Sequence, residues 1–241
     1  MSDLLHTEER DGASWLTMDD GKANVLSFAM IEALNAALDD AESNGQVVVL
    51  AGRSGRFSGG FDLAVLTSLT VDAARLLRAG FELSHRLLSF PRPVVVACTG
   101  HAYAMGSFLV LSGDYRLGVA DADHRITANE VSIGMTLPYA AIEVLRQRLT
   151  RAAFERAALQ AEVFDPVTAV AAGWLDAVVP GADLLDAARA KAVALTALDA
   201  NAHCGTKLRS RGPMLDDLRA AIERDDREFL ALIESIAIRR G

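Results

Sequence analysis

Residues 94–107 run Val94-Val95-Val96-Ala97-Cys98-Thr99-Gly100-His101-Ala102-Tyr103-Ala104-Met105-Gly106-Ser107. Five apolar residues in a row, entered through Pro91 and Pro93, read as a strand covered on both faces. The glycine-punctuated loop that follows opens an apolar helix from Ser107 to Leu111. In an α/β protein, ligands settle at the carboxyl ends of strands, where helix N-termini present free N–H groups. This one stretch therefore sets the fold class and marks a candidate site.

The same grammar recurs on either side. Val47 to Leu50 is a second continuous apolar strand, followed by a polar, Gly-rich segment that contains Phe57-Ser58-Gly59-Gly60-Phe61-Asp62-Leu63. A helix is expected over Val71–Ser89, and a further strand over Asp114–Val119. Nearer the N-terminus, residues 13–18 read as a strand ended by Asp19-Asp20-Gly21. Ser27 then N-caps a helix that carries Phe28, Ile31, Leu34, Ala37, Leu38 and Ala41 at helical spacing and stops at Asn44-Gly45. Strands alternating with helices through the first 150 residues predict repeated βα units.

The last third reads differently. Helices are expected over 145–159, 166–173, 184–198 and 213–238, with Asp165-Pro166 supplying an N-cap and an N1 proline. The composition shifts between residues 175 and 195 without a flexible linker, which suggests a core over 1–190 and a helical region over 191–241.

Composition narrows the function classes. The 241 residues hold 24 Lys plus Arg against 32 Asp plus Glu, a formal charge of −8 that argues against a general nucleic-acid binder. Two cysteines, Cys98 and Cys204, make neither a disulfide framework nor a zinc site. The acidic N-terminus lacks the pattern of a signal peptide, and the apolar runs are strand-length. The expectation is a cytoplasmic protein with no membrane partner.

Chemistry can live where the two loops meet. N–H groups from separate loops that converge on one oxygen would stabilise a thioester enolate or a tetrahedral oxyanion. The plainer reading of Gly59-Gly60 is a tight turn. Glu130, in Asn129-Glu130-Val131-Ser132-Ile133-Gly134, is the candidate acid–base group, because a carboxylate facing an apolar pocket has a raised pKa. Its plainer reading is an ordinary hydrogen-bonded glutamate. No histidine pair has metal-ligand spacing, and there is no P-loop, dinucleotide fingerprint or G-x-S-x-G elbow. Lys207, Arg209 and Arg211 put three cations near a helix end, where they either complement the helix dipole or meet a phosphate.

With these stretches quoted, the chain resembles the crotonase superfamily, the enoyl-CoA hydratase/isomerase group. Gly21-Lys22-Ala23-Asn24-Val25-Leu26-Ser27 is similar to the family segment that lies along coenzyme A, residues 57–63 to its first oxyanion loop, Gly100–Ser107 to its second, and 129–134 to its "P-E-x-x-[IL]-G". The resemblance implies a spiral of ββα repeats with two packed sheets, and a C-terminal helical region that builds homotrimers or dimers of trimers. It implies an acyl-CoA or enoyl-CoA substrate, with coenzyme A as part of the substrate and no separate cofactor. By motif position it assigns the oxyanion N–H groups to Phe61 and Ser107 and the base to Glu130. Coenzyme A would run past Lys22, Ala23, Asn24, Val25, Ser58, Gly60, Asp62 and Leu63, and the acyl pocket would include Phe108, Met135 and Leu137.

One departure from the family directs the chemistry. Hydratases carry a second glutamate shortly after the second Gly-rich loop, where this chain has Ser107-Phe108-Leu109-Val110-Leu111. Adding water across a 2-enoyl thioester is best served by two acid–base groups, whereas moving a double bond from C3 to C2 needs one. The expected reaction is therefore 3-enoyl-CoA to 2-enoyl-CoA isomerisation. The alternatives are a 2-enoyl-CoA hydratase despite the missing glutamate, or a non-catalytic acyl-CoA-binding member.

Overall fold

A computed structural model describes residues 4–240, and residues 1–3 and 241 lie outside it. The described chain opens with a hairpin, β1 (Leu5–Arg10) and β2 (Ala13–Met18), then β3 (Val25–Leu26) and helix α1 (Phe28–Ser43). Three coils follow. The first is β4 (Val47–Gly52), β5 (Gly55–Ser58), β6 (Gly60–Phe61), the one-turn α2 (Leu63–Leu66) and α3 (Val71–Ser89). The second is β7 (Val94–Cys98), β8 (Gly100–Tyr103) and α4 (Met105–Leu111), and the third is β9 (Tyr115–Val119), β10 (Ile126–Thr127) and α5 (Tyr139–Arg146). The chain continues through α6 (Arg151–Gln160), α7 (Pro166–Ala172), β11 (Ala177–Val179), α8 (Leu184–Thr196) and the long α9 (Ala200–Arg240).

Each coil lays its first strand in a large sheet and its second in a small one. The large sheet has the order β1-β2-β4-β7-β9-β11, parallel throughout except for the β1–β2 hairpin. The small sheet, β10-β8-β5, is parallel, and β3 pairs with β6 alone. Winding from one sheet to the other and back through a helix is the spiral that the resemblance implies.

Side-chain alternation explains the apolar runs. Val48, Leu50, Val94 and Val96 face the inner core, while Val47, Val49, Ala51, Val95 and Ala97 face outward under Leu184, Ala188 and Ala192 of α8. Both faces are dry, so the strands carry almost no polar residue.

The helical region is not a separate body. The suggested division at 190/191 falls inside α8, and α9 sends Leu215, Leu218, Ala221 and Ile222 into the inner core. Among the described residues no helix is long and apolar enough to cross a membrane.

Four local expectations are corrected. The helix read over 145–159 is two helices, because Thr150 accepts a hydrogen bond from Ala153 N–H and starts α6 afresh. The last helix begins at Ala200 rather than Pro213, which lies within it. The helix read from Ser107 begins at Met105. The N-terminal residues 5–10 and residues 177–179, for which no strand was expected, pair at the two edges of the large sheet.

Candidate active site

The first-coil loop and the second-coil loop are locked backbone to backbone at two glycines. Gly60 has φ +91°, and a Cβ there would stand 2.9 Å from Tyr103 O and 3.0 Å from Ala104 Cβ. A Cβ on Gly106 would stand 2.5 Å from Ser58 O. Any side chain at either place would force the loops apart.

Asn24 lashes the first loop from below. Fully buried at φ +52°, it donates through Nδ2 to the carbonyls of Met18 (2.9 Å), Arg56 (3.1 Å) and Phe57 (3.2 Å), and its Oδ1 accepts from Asp20 N–H (3.0 Å). Ser58, also buried, donates from Oγ to Asn24 O (2.7 Å) and accepts from Gly60 N–H (3.2 Å). Two residues expected along coenzyme A thus have side chains committed to the scaffold. Asp62 is committed too, accepting from Ala64 N–H at 3.0 Å to cap α2. Lys22 and Leu63 are exposed, Ala23 and Val25 half-buried, and the carbonyl of Ala23 accepts from Gly59 N–H at 2.7 Å.

The loops supply two N–H donors, one of them not where the motif put it. Asp62 N–H donates to Leu26 O at 3.3 Å, so alternation turns the Phe61 N–H to the other edge of β6, where the two-stranded β3–β6 sheet has no further strand. At α4 the Ser107 N–H is spent. Ala104 O accepts from Ser107 N–H (2.9 Å), Phe108 N–H (3.2 Å) and Ser107 Oγ (2.7 Å). Ala104, at φ +48° and ψ −125°, turns the chain so that Met105 is the first helical residue. Its N–H precedes any intrahelical acceptor, and a Cβ on Gly60 would lie 3.4 Å from this nitrogen. The second donor is therefore Met105, and the expectation for Ser107 is corrected.

The third coil brings in the carboxylate. Ala102 N–H donates to Arg125 O (2.9 Å) and Ala104 N–H to Thr127 O (3.0 Å), which sets the end of β10 beside the start of α4. Glu130 follows three residues later. Its carbonyl accepts from Ile133 N–H (3.1 Å) and Met135 N–H (2.9 Å), closing a short 3-10 turn that ends at Gly134. The side chain is 7% exposed, and its Oε2 has no hydrogen-bond partner. Burial pushes the carboxyl up to about 7, a rise that its own backbone N–H only partly offsets. A carboxylate that is half ionised near neutrality and has a free lone pair can take and return a proton.

Nothing acidic enters from α4. Every residue of α4 is buried, and Phe108, 1% exposed, stacks on Phe81 with ring centroids 5.8 Å apart. Met135 and Leu137 are partly buried against the inner core. The cations at 207–211 have structural work instead. Lys207 Nζ donates to Phe90 O (2.8 Å), Arg92 O (3.0 Å) and Asp114 (2.6 Å), and Arg211 joins Asp114 at 2.8 Å. They sit in the body of α9, not at its end, and their charge is met by Asp114 rather than by a helix terminus. His101 lies in β8, accepts from Arg125 N–H at 3.1 Å and stacks on Tyr103.

The family model described as "Enoyl-CoA hydratase/isomerase" matches residues 8–241. The chain belongs to this family, within the crotonase superfamily. An enoyl-CoA hydratase/isomerase family protein from Pseudomonas syringae shares 48% identity at TM-score 0.92, over 95% of this chain and 99% of that one. A Mycobacterium tuberculosis enoyl-CoA isomerase shares 45% identity at TM-score 0.91, over 95% and 100%. An enoyl-CoA hydratase from Mycobacterium marinum shares 47% identity at TM-score 0.90, over 94% and 99%. The crotonase fold expected from the motifs is thus shown, and these relatives carry both isomerase and hydratase names.

Two features of this crotonase site were invisible in the motif pattern. One is Met105 as donor, since a motif marks a loop but not which of its N–H groups stays free. The other is the support that α9 gives the Glu130 segment through Asp225, which accepts from Tyr139 and Ala140 N–H.

Proposed function

We propose that this chain isomerises 3-enoyl-CoA thioesters to 2-enoyl-CoA thioesters with Glu130 as the only acid–base group. The observation that carries the reading is Glu130 itself, a buried carboxylate with an unpartnered Oε2 on the coil whose strand end bonds to the start of α4, while α4 carries the apolar Phe108 and no carboxylate.

The thioester carbonyl oxygen accepts from the N–H groups of Phe61 and Met105. The Glu130 carboxylate removes a proton from C2. The C2–H electron pair forms the C1–C2 double bond of a dienolate whose negative charge rests on the held oxygen. Glu130, now neutral and favoured by its dry surroundings, returns the same proton to C4. The electrons of the C3–C4 double bond take up that proton, the C2–C3 double bond forms, and the carbonyl is restored. Coenzyme A passes along the backbone of residues 22–25 and 58–63, with the exposed Lys22 offering the cationic contact for its phosphates.

A spectroscopic assay with a trans-3-enoyl-CoA, read by the conjugated product, tests this. Wild type is expected to form product, and Glu130→Gln to lose about 10²–10⁴-fold in kcat with acyl-CoA affinity retained. The M. marinum relative's name supports hydration as the second reading. Incubating a 2-enoyl-CoA in ¹⁸O water separates the two. Labelled 3-hydroxyacyl-CoA formed faster than isomerisation would replace the proposal with hydration.

A further inference from the structure

Gly80 stands in the middle of α3, a 19-residue helix, where glycine costs about 0.5–1 kcal/mol relative to alanine. Its surroundings show why an alanine does not fit. A Cβ on Gly80 would stand 2.3 Å from Phe61 Cε1 and 2.4 Å from Phe61 Cζ, with Met105 Cγ next at 3.5 Å. Phe61 and Met105 are the two residues whose N–H groups are the proposed donors to the thioester oxygen. Both rest their side chains on the bare backbone of one helical turn.

The Phe61 ring has little room to give. It is 6% exposed and meets Phe81 edge-on, with centroids 6.3 Å apart and planes at 67°. Phe81 in turn stacks on Phe108, one turn along α4 from Met105. The rings therefore run from one donor-bearing element to the other through α3. Gly80 is where that bridge touches the donors themselves.

We infer that Gly80 is a positioning residue, which sets the placement of the Phe61 and Met105 N–H groups by letting their side chains seat against α3. The inference rests on the reading of these two groups as the oxyanion donors. A methyl group at position 80 displaces the Phe61 ring, and the ring carries its own backbone N–H with it. A misplacement of about 1 Å at such a donor costs about 10²-fold in rate.

The test is a cycle of Gly80→Ala, Phe61→Ala and the double variant, each checked for folding by thermal melting. Two readouts are taken: kcat on a trans-3-enoyl-CoA, and the infrared carbonyl band of bound butyryl-CoA carrying a ¹³C=O label. The band reports polarisation by the donors without any reaction. Gly80→Ala is expected to lower kcat about 10²-fold and to move the band back toward its position in water. On the Phe61→Ala background, where the struck ring is gone and the N–H remains, adding Gly80→Ala is expected to change neither. A folded Gly80→Ala with native kcat and band overturns the positioning role and leaves the proposed function standing. A loss that persists undiminished on the Phe61→Ala background also overturns it. If Gly80→Ala alone does not fold, the comparison of the double variant with Phe61→Ala still decides. A wild-type protein whose bound carbonyl band is not shifted overturns the donor assignment itself, and the Gly80 role with it.

Discussion

The carboxylate of Asp225 accepts the backbone N–H groups of Tyr139 (2.9 Å) and Ala140 (2.8 Å), so that α9 caps α5. The residue at α5's own N-cap position, Pro138, has no side chain able to do so. Beside it, Arg224 lies over the Tyr139 ring at 3.6 Å and donates to its hydroxyl at 2.6 Å. The segment bearing Glu130 is thus fixed at its start by β10 and at its end by a side chain from a distant helix. Asp225→Ala is expected to cost about 0.5–2 kcal/mol, the usual worth of a cap, read from urea denaturation. Asp225→Asn, which keeps one acceptor, should fall between.

Stability should respond to pH through Glu130. Its folded-state pKa is raised to about 7 from an ordinary 4.5, so the fold disfavours the ionised form. The penalty is present in full above about 7 and is relieved as pH falls toward 4.5, and the whole swing is roughly 3 kcal/mol. Glu130→Gln should therefore melt higher than wild type at alkaline pH, and the two curves should converge near pH 4.5. A wild type that loses no stability between those limits would contradict the burial of this carboxyl.

Activity should carry the same signature with the opposite sense. In the proposed reaction Glu130 must be ionised to remove the C2 proton, so kcat/KM is expected to rise with pH and level off above about 7. A limb near 4.5 instead would mean that Glu130 is solvated in the free enzyme.

Asp114 is the hub of a buried charge cluster. It accepts from Val94 N–H at 2.7 Å and pairs with Lys207 (2.6 Å) and Arg211 (2.8 Å), which are 4% and 15% exposed at the side chain. Asp114→Asn leaves two confined cations without a counter-charge and is expected to cost about 3–5 kcal/mol in chemical denaturation. Because the pair is shielded from solvent ions, adding salt should change this loss little.

Asn24 predicts a coupled loss. Replacing it by Ala leaves the carbonyls of Met18, Arg56 and Phe57 without their shared donor, at about 1–3 kcal/mol, and puts a Cβ without an amide at φ +52°. The lashing between residues 20–25 and 56–58 also shapes the proposed coenzyme A path. A rise in KM for acyl-CoA should accompany the loss of stability, measured on the same preparation.

Much of this was legible in the residues, and the exceptions have physical causes. β4 and β7 stood out because both of their faces are covered, which removes polar residues altogether. Glu130 stood out because it is a lone carboxylate in a stretch of small and uncharged residues. β1 did not, because an edge strand facing water keeps polar side chains, and Leu5–Arg10 is exposed apart from its first residue. The Asp11-Gly12 pair, with φ of +53° and +75°, was the hairpin signal that could have revealed it. Pro213 misled because proline usually opens a helix, yet here it sits exposed within α9. Ser107 was assigned by motif position, but its N–H is bonded to Ala104 O because a positive φ at Ala104 starts the helix at Met105, and no local pattern announces such a turn. The Asp225 cap joins two segments that no short-range reading connects.

That clasp also orders events during synthesis. Phe61, Met105 and Glu130 all leave the ribosome before the first turn of α9, and the spiral coils that hold them can pair as they emerge. Asp225 and Arg224 arrive later, when those coils are already wound. A nascent chain halted anywhere before residue 224 would hold Phe61, Met105 and Glu130 and lack the fastening at the end of the Glu130 segment, so competence for the proposed chemistry should come late, with the arrival of one helix.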